Sequence, residues 1–332
     1  MITKKRKTDS HPSPDIINAP SRGIVLIITG MFFFSLHDTI VKFISGDYPA
    51  HEIVFFRSFV ALLPILLIVY REGGLPILKT HRLFLQITRG LCWFVAFTCF
   101  YLALAVLPIA ETYALFFSSP IFITIFSVIL FGERVISRKW VAIFAGFLGV
   151  VIIIRPGASL FNPAAIFAVL SAIAYAISVA LTRQLGKTDR GASMAFYTTL
   201  IYLLGSSAVG IFLGNGHFAA GKSTSLQFLL RAWVIPNLMD LGLMAFCGLI
   251  AGLGFYALSQ AYRLTQATTI AHYEYIAVPL SIFWGYIVWR DIPDINTVLG
   301  MVLVVGSGLY VLLCDSSEKR KIVVKHIKPP II

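Results

Sequence analysis

The apolar part of the chain begins with GIVLIITGMFFFSLHDTIVKFI, residues 23–44. A helix that crosses a lipid bilayer needs about 20 predominantly apolar residues, and this segment is long enough. It also carries His37, Asp38 and Lys42, although ionisable groups are costly inside a membrane and tend to face a partner, water or a substrate. The segment therefore predicts a membrane-spanning helix that contributes polar side chains to an interior site.

Nine further apolar runs of comparable length follow. They are residues 52–70, 85–107, 110–131, 138–154, 163–182, 194–213, 240–262, 267–289 and 297–314. Over the whole chain 58% of the residues are hydrophobic and 13% are charged, whereas a soluble domain has about 25% charged residues. The sequence thus predicts an all-α integral membrane protein with ten transmembrane helices.

The formal net charge of +12 comes from short basic clusters between the apolar runs. This distribution is typical of membrane-protein loops, so the lipid bilayer is the expected partner and nucleic acid is not. With the N-terminus in the cytoplasm, twenty of the 27 Lys and Arg residues lie on the cytoplasmic side and four on the other. Because cytoplasmic loops are enriched in these residues, we predict a bacterial inner (plasma) membrane protein with cytoplasmic tails, residues 1–22 and a basic 315–332. No removable signal peptide is expected.

Residues 216–223, GHFAAGKS, match the phosphate-binding loop pattern G-x-x-x-x-G-K-[ST]. That loop cradles phosphate only between a strand and a helix. Here it follows the helix-like run 209–213, in a segment that the charge distribution assigns to an external loop. We therefore expect that Gly216 to Ser223 is not a nucleotide site and that Lys222→Ala leaves transport intact.

Two parts of the chain resemble each other at a constant spacing. FSLHDTIVK (34–42) aligns with YAISVALTR (175–183), and FFR (55–57) aligns with FYT (196–198), both displaced by 141 residues. These matches suggest an internal repeat of five helices. Apolar segments also resemble one another by composition alone, and that alternative stays open.

A five-helix repeat has a consequence for topology. Because five is odd, the second copy would enter the membrane upside down relative to the first, and Pro120 and Pro279 would occupy corresponding places. Inverted repeats are typical of secondary transporters, in which two halves rock about a site near the midplane. We predict a first repeat over residues 23–157 and a second over residues 158–314.

Two longer segments resemble the repeats of the drug/metabolite transporter superfamily, ten-helix EamA type. They are YLALAVLPIAETYALFFSSPIFITIFSVILFGERVISRKWVAIFAGFLGVVIIIRPG (101–157) and AYRLTQATTIAHYEYIAVPLSIFWGYIVWRDIPD (261–294). The similarity extends over nearly the whole chain, and HEIVFFRSF (51–59) and ITRGL (87–91) are most similar to the branch of bacterial S-adenosylmethionine uptake proteins. The resemblance implies a transporter of a small organic metabolite; other members of this type carry riboflavin or amino acids.

The densest polar cluster inside an apolar run is AHYEY, residues 271–275. Glu274 is its most costly residue to bury, and intramembrane ionisable groups are functional candidates by default. We expect Glu274 to line the substrate cavity, although a helix–helix hydrogen bond would also account for it. Aromatic and hydroxyl side chains that could stack on or hydrogen-bond an organic solute there are Tyr275, Tyr113, Ser118 and Ser119, and we add His272.

Other ionisable residues lie within the first three runs. Arg57 could hold a carboxylate or phosphate through two parallel hydrogen bonds, or simply pair with Glu111 or Asp38. Asp38 and Lys42 are four residues apart on one helix face, so they either neutralise each other or contact substrate. His37 is expected to be a polar packing group, and Arg89 to extend to the cytoplasmic boundary.

These features together favour a secondary transporter that moves S-adenosylmethionine, an amino-acid-like solute or a vitamin-like solute by alternating access. We expect no catalytic residues, cofactor or metal site, because the sequence has no carboxylate or histidine pairs at metal-binding spacing. If transport is coupled to protons, Glu274 is the first candidate carrier and His272 the second. A lipid-modifying membrane enzyme and a non-transporting receptor or channel are the alternatives. The sequence leaves the oligomeric state open, a homodimer included.

Overall fold

The computed structural model describes residues 20–131, 137–155, 162–185, 188–219, 223–264 and 273–327. These residues form α-helices, one short 3-10 helix over Leu75–Leu78, and connecting turns. The α-helices are α1 (Pro20–Ile44), α2 (Ala50–Glu72), α3 (Leu83–Leu104), α4 (Ile109–Phe116), α5 (Ser119–Phe131), α6 (Ser137–Ile154), α7 (Ala164–Leu185), α8 (Gly191–Leu213), α9 (Thr224–Leu230), α10 (Leu238–Leu264), α11 (Ala277–Trp289) and α12 (Ile295–Ile327). The prediction of an all-α fold is confirmed for the described part of the chain.

Each of the ten predicted apolar runs is mainly helical where the structure describes it. Six helices are long and apolar enough to cross a membrane, namely α1, α2, α3, α7, α8 and α10. The remaining runs form shorter apolar helices. This pattern confirms a multi-pass membrane architecture, although α12 continues to Ile327, well beyond residue 314, where the tenth run was predicted to end.

The fourth run is not one continuous helix, contrary to our prediction. A turn at Phe117 and Ser118 separates α4 from α5. Pro120 then stands in the first turn of α5, where a proline is tolerated because its missing N–H would have no helical partner. The ninth run has a similar turn at Tyr275 and Ile276, just before α11.

The bundle buries several charged and polar side chains within a largely apolar core, and it exposes large apolar side chains on its surface. Arg57, Glu52 and His37 are at most 1% exposed. Large apolar side chains point outward instead, among them Val25, Phe59, Leu63, Phe84, Phe144 and Ile211. An apolar exterior of this kind fits contact with lipid tails.

The helix contacts are the same when each helix is replaced by the corresponding helix of the other half of the chain. α1 packs on α10, and α3 packs on α7. Under the exchange α1 corresponds to α7 and α3 to α10, so these two contacts replace each other. The contacts of α2 with α8 and of α6 with α12 map onto themselves. The packing therefore agrees with two related halves.

α10 approaches α2 closely because small residues lie at their crossing. A Cβ added at Gly248 would overlap the carbonyl oxygen of Arg57 and lie 2.8 Å from Cβ of Val60. One turn later, a Cβ at Gly252 would lie 2.8 Å from the ring of Pro64. Small-xxx-small spacings let membrane helices pack backbone to backbone, and this pair does so.

The GHFAAGKS segment lies between α8 and the short α9, with residues 220–222 outside the described part. A helix does follow the segment, since α9 begins at Thr224. A helix rather than a strand precedes it, however, and α9 has only 7 residues. The strand that a phosphate-binding loop requires is not among the described residues before it, and the absence of a nucleotide site stays a prediction.

Candidate functional site

Arg57 of α2 lies in the interior of the bundle. Its Nη1 donates to Nε2 of His37 at 2.9 Å and to the hydroxyl of Tyr101 at 2.7 Å. Its Nε and Nη2 are buried and have no hydrogen-bond partner. A buried donor without a partner costs about 1–3 kcal/mol, so this unsatisfied edge calls for a functional explanation.

His37 connects Arg57 to Asp38. A guanidinium group has only donors, so Nε2 of His37 accepts the Arg57 bond, and its Nδ1–H donates to Oδ1 of Asp38 at 2.8 Å. The imidazole is therefore neutral in this arrangement. Oδ2 of Asp38 accepts a hydrogen bond from the hydroxyl of Tyr113 at 2.5 Å, so helices α1, α2, α3 and α4 meet in one hydrogen-bonded network.

Of the two alternatives for Asp38 and Lys42, the structure does not show mutual neutralisation. Lys42 does not pair with Asp38: its Nζ donates to the carbonyl oxygen of Leu104 at 2.9 Å and to that of Leu107, and it lies 5.5 Å from the ring of Trp289. Asp38 is held instead by a neighbouring residue, His37, and by another helix. His37 is buried and both of its ring nitrogens are hydrogen-bonded, so it bridges Asp38 and Arg57.

Aromatic rings surround the Arg57 guanidinium. Its Cζ lies 5.9 Å from the ring centre of Phe97, 5.3 Å from that of Tyr101 and 5.2 Å from that of Tyr202. The face of an aromatic ring attracts a cation, most strongly where water is excluded. These rings stabilise the positive charge, but they provide no hydrogen-bond acceptor for Nε and Nη2 of Arg57.

A continuous series of aromatic contacts leads from this cage to Glu274. Phe97 stacks on Trp93 at 5.3 Å, and Trp93 meets Tyr175 edge to face at 5.0 Å. The Tyr175 hydroxyl lies 3.5 Å from Oε1 of Glu274. Two ionisable groups from the two halves of the chain thus stand at the ends of one aromatic wall.

The other residues expected in the cavity lie near the two helix breaks. Ser118, in the turn after α4, donates to the carbonyl oxygen of Leu115 at 2.7 Å, and Ser119 is buried. Tyr275, in the second turn, packs its ring 5.0 Å from that of Phe117. His272 lies outside the described residues.

The Tyr275 hydroxyl is buried and has no hydrogen-bond partner. It fits against α12 because residue 308 is a glycine, and a Cβ there would overlap the hydroxyl oxygen. Trp93 Nε1 and the Ser171 hydroxyl are likewise buried without a partner. Trp93 touches Tyr175 directly, and Ser171 precedes Tyr175 by one turn of α7. Unpaired polar atoms thus lie along the aromatic wall, where a solute could satisfy them.

Arg89 does not extend to the membrane boundary, contrary to our expectation. It is buried between α7 and α8, where its Nε donates to Thr182 at 2.7 Å and its Nη1 to Thr198 at 2.9 Å and to the carbonyl oxygen of Met194. A guanidinium that donates to several neutral acceptors on two helices holds those helices together, which is a structural role. Arg89 is therefore not part of the candidate site.

A separate cavity of about 190 Å³ lies where α4 begins and where α11 connects to α12. Its lining includes Glu111, Asp291 and Asp294. Hydrogen bonds from Thr297 and from Arg155 hold the pKa of Asp294 below its usual range. Arg155 pairs with Asp294 beside this cavity, and Lys42 lies near Asp291 and Glu111, so basic side chains offset the carboxylates there.

Sequence reasoning missed several members of the network. Tyr202 and Phe97 gave no signal, because an aromatic residue on an apolar helix is more often a packing or interfacial group. His37 was expected to be a polar packing group, and its two partners were not predicted. The only feature of the sequence that could have indicated this network is that His37 and Asp38 are adjacent. An imidazole next to a carboxylate can bond to it through one nitrogen and to a residue of another helix through the other.

Comparison with known proteins gives a consistent result. The model of the EamA-like transporter family matches the chain twice, over residues 21–155 and 162–313. An S-adenosylmethionine uptake transporter of Rickettsia prowazekii is 26% identical over 94% of this chain and 98% of its own. The pseudopaline exporter CntI of Pseudomonas aeruginosa is 29% identical over 87% of this chain and 95% of its own.

Two further comparisons concern a vitamin carrier and the fold. A riboflavin transporter of Rhizobium johnstonii is 25% identical over 91% of this chain and 95% of its own. A solved crystal structure superposes with a TM-score of 0.62 at 18% identity, covering 90% of this chain and 99% of the other. At that identity the superposition supports the helical fold alone.

Proposed function

This chain belongs to the EamA-like transporter family, and from that premise we propose that it carries a small organic metabolite across the membrane by alternating access. It is a multi-pass membrane protein of a transporter family rather than an enzyme. The two regions matched by the family model, 21–155 and 162–313, support two repeats of five helices. The proposed halves, 23–157 and 158–314, would rock about the site between them.

One observation carries this proposal: an aromatic wall joins Arg57 to Glu274 inside a bundle with an apolar surface. Burying charged groups in a membrane protein is costly, and a structural role alone would favour pairing them directly. Here the two groups stand on different halves and at different ends of the wall. A solute bound along this wall would meet a cationic group at one end, an anionic group at the other and flat aromatic sides between them, which suits a zwitterion that carries a ring.

The relatives narrow the class of solute. Three of them are named for S-adenosylmethionine, pseudopaline and riboflavin. We propose S-adenosylmethionine or a similar amino-acid-bearing metabolite as the solute, because it combines a flat ring with charges of both signs. Glu274 would bind the cationic part and serve as proton carrier, with His272 as the second candidate for that proton.

Counterflow in proteoliposomes tests the function. Vesicles that contain the purified chain and unlabelled S-adenosylmethionine should accumulate the radiolabelled compound transiently above its external concentration, whereas protein-free vesicles should not. A channel would equilibrate the label without transient accumulation, a receptor would move none, and an enzyme would convert it. Failure to accumulate S-adenosylmethionine, amino acids or riboflavin would contradict the transporter proposal.

The proposed orientation places the loop from Asn215 to Arg231 outside the cell. A cysteine introduced by Ser223→Cys, at the start of α9, should react with a membrane-impermeant thiol reagent on intact cells. The unmodified chain is the control, since its described cysteines, Cys92, Cys99 and Cys247, lie within helices α3 and α10. Labelling of Ser223→Cys only after lysis would reverse the topology and place both termini outside.

A further inference from the structure

We propose that the free Nε–Nη2 edge of Arg57 is a carboxylate-binding subsite, so that the solutes of this protein carry a carboxylate group. This inference rests on the proposed transport function and specifies which part of the solute Arg57 recognises. The two nitrogens are buried and unpartnered, and the residue is 1% exposed. Two buried donors without a partner are unusual in a folded protein, and a bound ligand would satisfy them.

The geometry of the edge selects its ligand. The N–H of Nε and one N–H of Nη2 point the same way in the guanidinium plane, and together they match the two oxygens of a carboxylate. Nη1, at the other edge of the planar group, already donates hydrogen bonds to His37 and Tyr101. Arg57 therefore has one complete fork left, which suits a single carboxylate.

The charge balance points in the same direction. Among the described residues, Arg57 has no carboxylate within ion-pair distance, whereas Arg155 pairs with Asp294. Asp38 reaches Arg57 only through the neutral His37. A buried cation without a direct counterion is stabilised when an anion binds next to it, and a solute carboxylate would supply that anion.

The surroundings favour a carboxylate over a phosphate. Phe97, Tyr101 and Tyr202 cover the guanidinium with aromatic rings, and these provide no second positive charge. Lys42 is directed to the carbonyl oxygens of Leu104 and Leu107. A phosphate group carries up to two negative charges and needs more donors than this edge provides, whereas a carboxylate is satisfied by two.

His37, Asp38 and Tyr113 act as positioning residues for this edge. His37 fixes Nη1, Asp38 fixes His37, and Tyr113 donates to the second oxygen of Asp38. This chain of hydrogen bonds fixes the rotation of the guanidinium plane before a solute arrives. Pre-organisation reduces the entropy lost when the solute is bound.

Matched pairs of compounds test the subsite on the full chain in detergent. The pairs are S-adenosylmethionine with its decarboxylated form, methionine with methioninamide, and tryptophan with tryptophanamide. Ligand binding to the folded state raises the thermal unfolding midpoint. We expect at least one carboxylate compound to raise it, with an affinity at least about tenfold higher than that of its partner.

Variants identify the residue responsible. Arg57→Gln should remove the preference for the carboxylate member, and Arg57→Lys should retain only part of it, because an ammonium group keeps the charge but loses the fork. Arg71→Gln, at an exposed arginine near the end of the same helix, should leave the preference unchanged. Should Arg57→Gln fail to fold, Tyr113→Phe provides a milder change that should weaken the preference through positioning.

Three results would overturn the inference: equal effects of both members of every pair on the unmodified chain, no effect of any carboxylate compound, or a preference that survives in Arg57→Gln. The counterflow assay distinguishes a failure of the carboxylate subsite from a failure of the proposed transport function. Carboxylate-selective binding without counterflow would leave the subsite standing and overturn the transporter. Counterflow without carboxylate-selective binding would support the transporter and overturn the subsite.

Discussion

Glu274→Gln should abolish the dependence of solute uptake on an imposed pH gradient, while exchange of solute for solute continues and becomes insensitive to pH. The reason is chemical. A carboxyl group can bind a proton on one side of the membrane and release it on the other, whereas an amide of the same shape cannot. Tyr175 can donate to the amide oxygen as it does to Glu274, so the variant should insert and fold.

The measurement is uptake of labelled solute into proteoliposomes with and without a pH difference across the membrane. Coupling to protons would make net accumulation by the unmodified chain rise with the gradient, and Glu274→Gln should remove that rise entirely. Glu72→Gln is the matched control: Glu72 ends α2 and accepts a hydrogen bond from Gln260, and it makes none of the contacts that define the aromatic wall. Its response to the gradient should be preserved.

A Glu274→Gln variant with normal uptake and an unchanged gradient response would make this carboxylate a structural hydrogen-bond partner. The coupling site would then move to the network of Asp38, His37 and Arg57. In that case Asp38→Asn becomes the informative variant, because Asp38 is the carboxylate buried at the centre of that network.

Gly248→Val should prevent α10 from packing on α2 and should sharply lower the yield of folded protein. A Cβ at this position would overlap the carbonyl oxygen of Arg57, and a backbone atom in a packed helix cannot move aside as a flexible side chain can. Overpacking in a core costs about 1–3 kcal/mol, and a clash with backbone falls at the upper end. The displacement of α2 would also disturb the position of Arg57.

Size-exclusion chromatography and the thermal unfolding midpoint in detergent report the effect. Gly242→Val on the same helix is a closely matched control, because a Cβ at Gly242 meets nothing within 4 Å. Both variants lose the same flexibility and gain the same apolar volume. A Gly248→Val protein as stable and monodisperse as Gly242→Val would contradict the proposed close approach of the two helices.

Most of the architecture could be predicted from the sequence. Ten apolar runs and their charged boundaries define membrane helices because the bilayer imposes a length and a polarity on every segment that crosses it. The segments 101–157 and 261–294 were enough to suggest the family that the comparisons confirm. The helix breaks were not predicted, although Pro120 and Pro279 mark them, because a proline within an apolar run can lie in a kinked or an interrupted helix equally well.

The candidate site was predicted in part. Arg57, Asp38 and Tyr113, chosen for their polarity inside apolar runs, lie in one network, and Glu274 lies beside Tyr175 on the same aromatic wall. Whether these residues bind solute stays a prediction. The choice of residues succeeded because a costly polar group in a membrane helix needs a reason to be there.

The sequence by itself determined that the chain crosses a membrane repeatedly, to which family it belongs, and which few side chains are too polar for lipid. Only the tertiary structure decided their partners. Helical periodicity places Asp38 and Lys42 on one face, yet Asp38 bonds to His37 and Tyr113, and Lys42 turns to carbonyl groups at the end of α3. Spacing along one helix fixes directions within that helix, whereas a side chain's partner depends on which neighbouring helix packs against it.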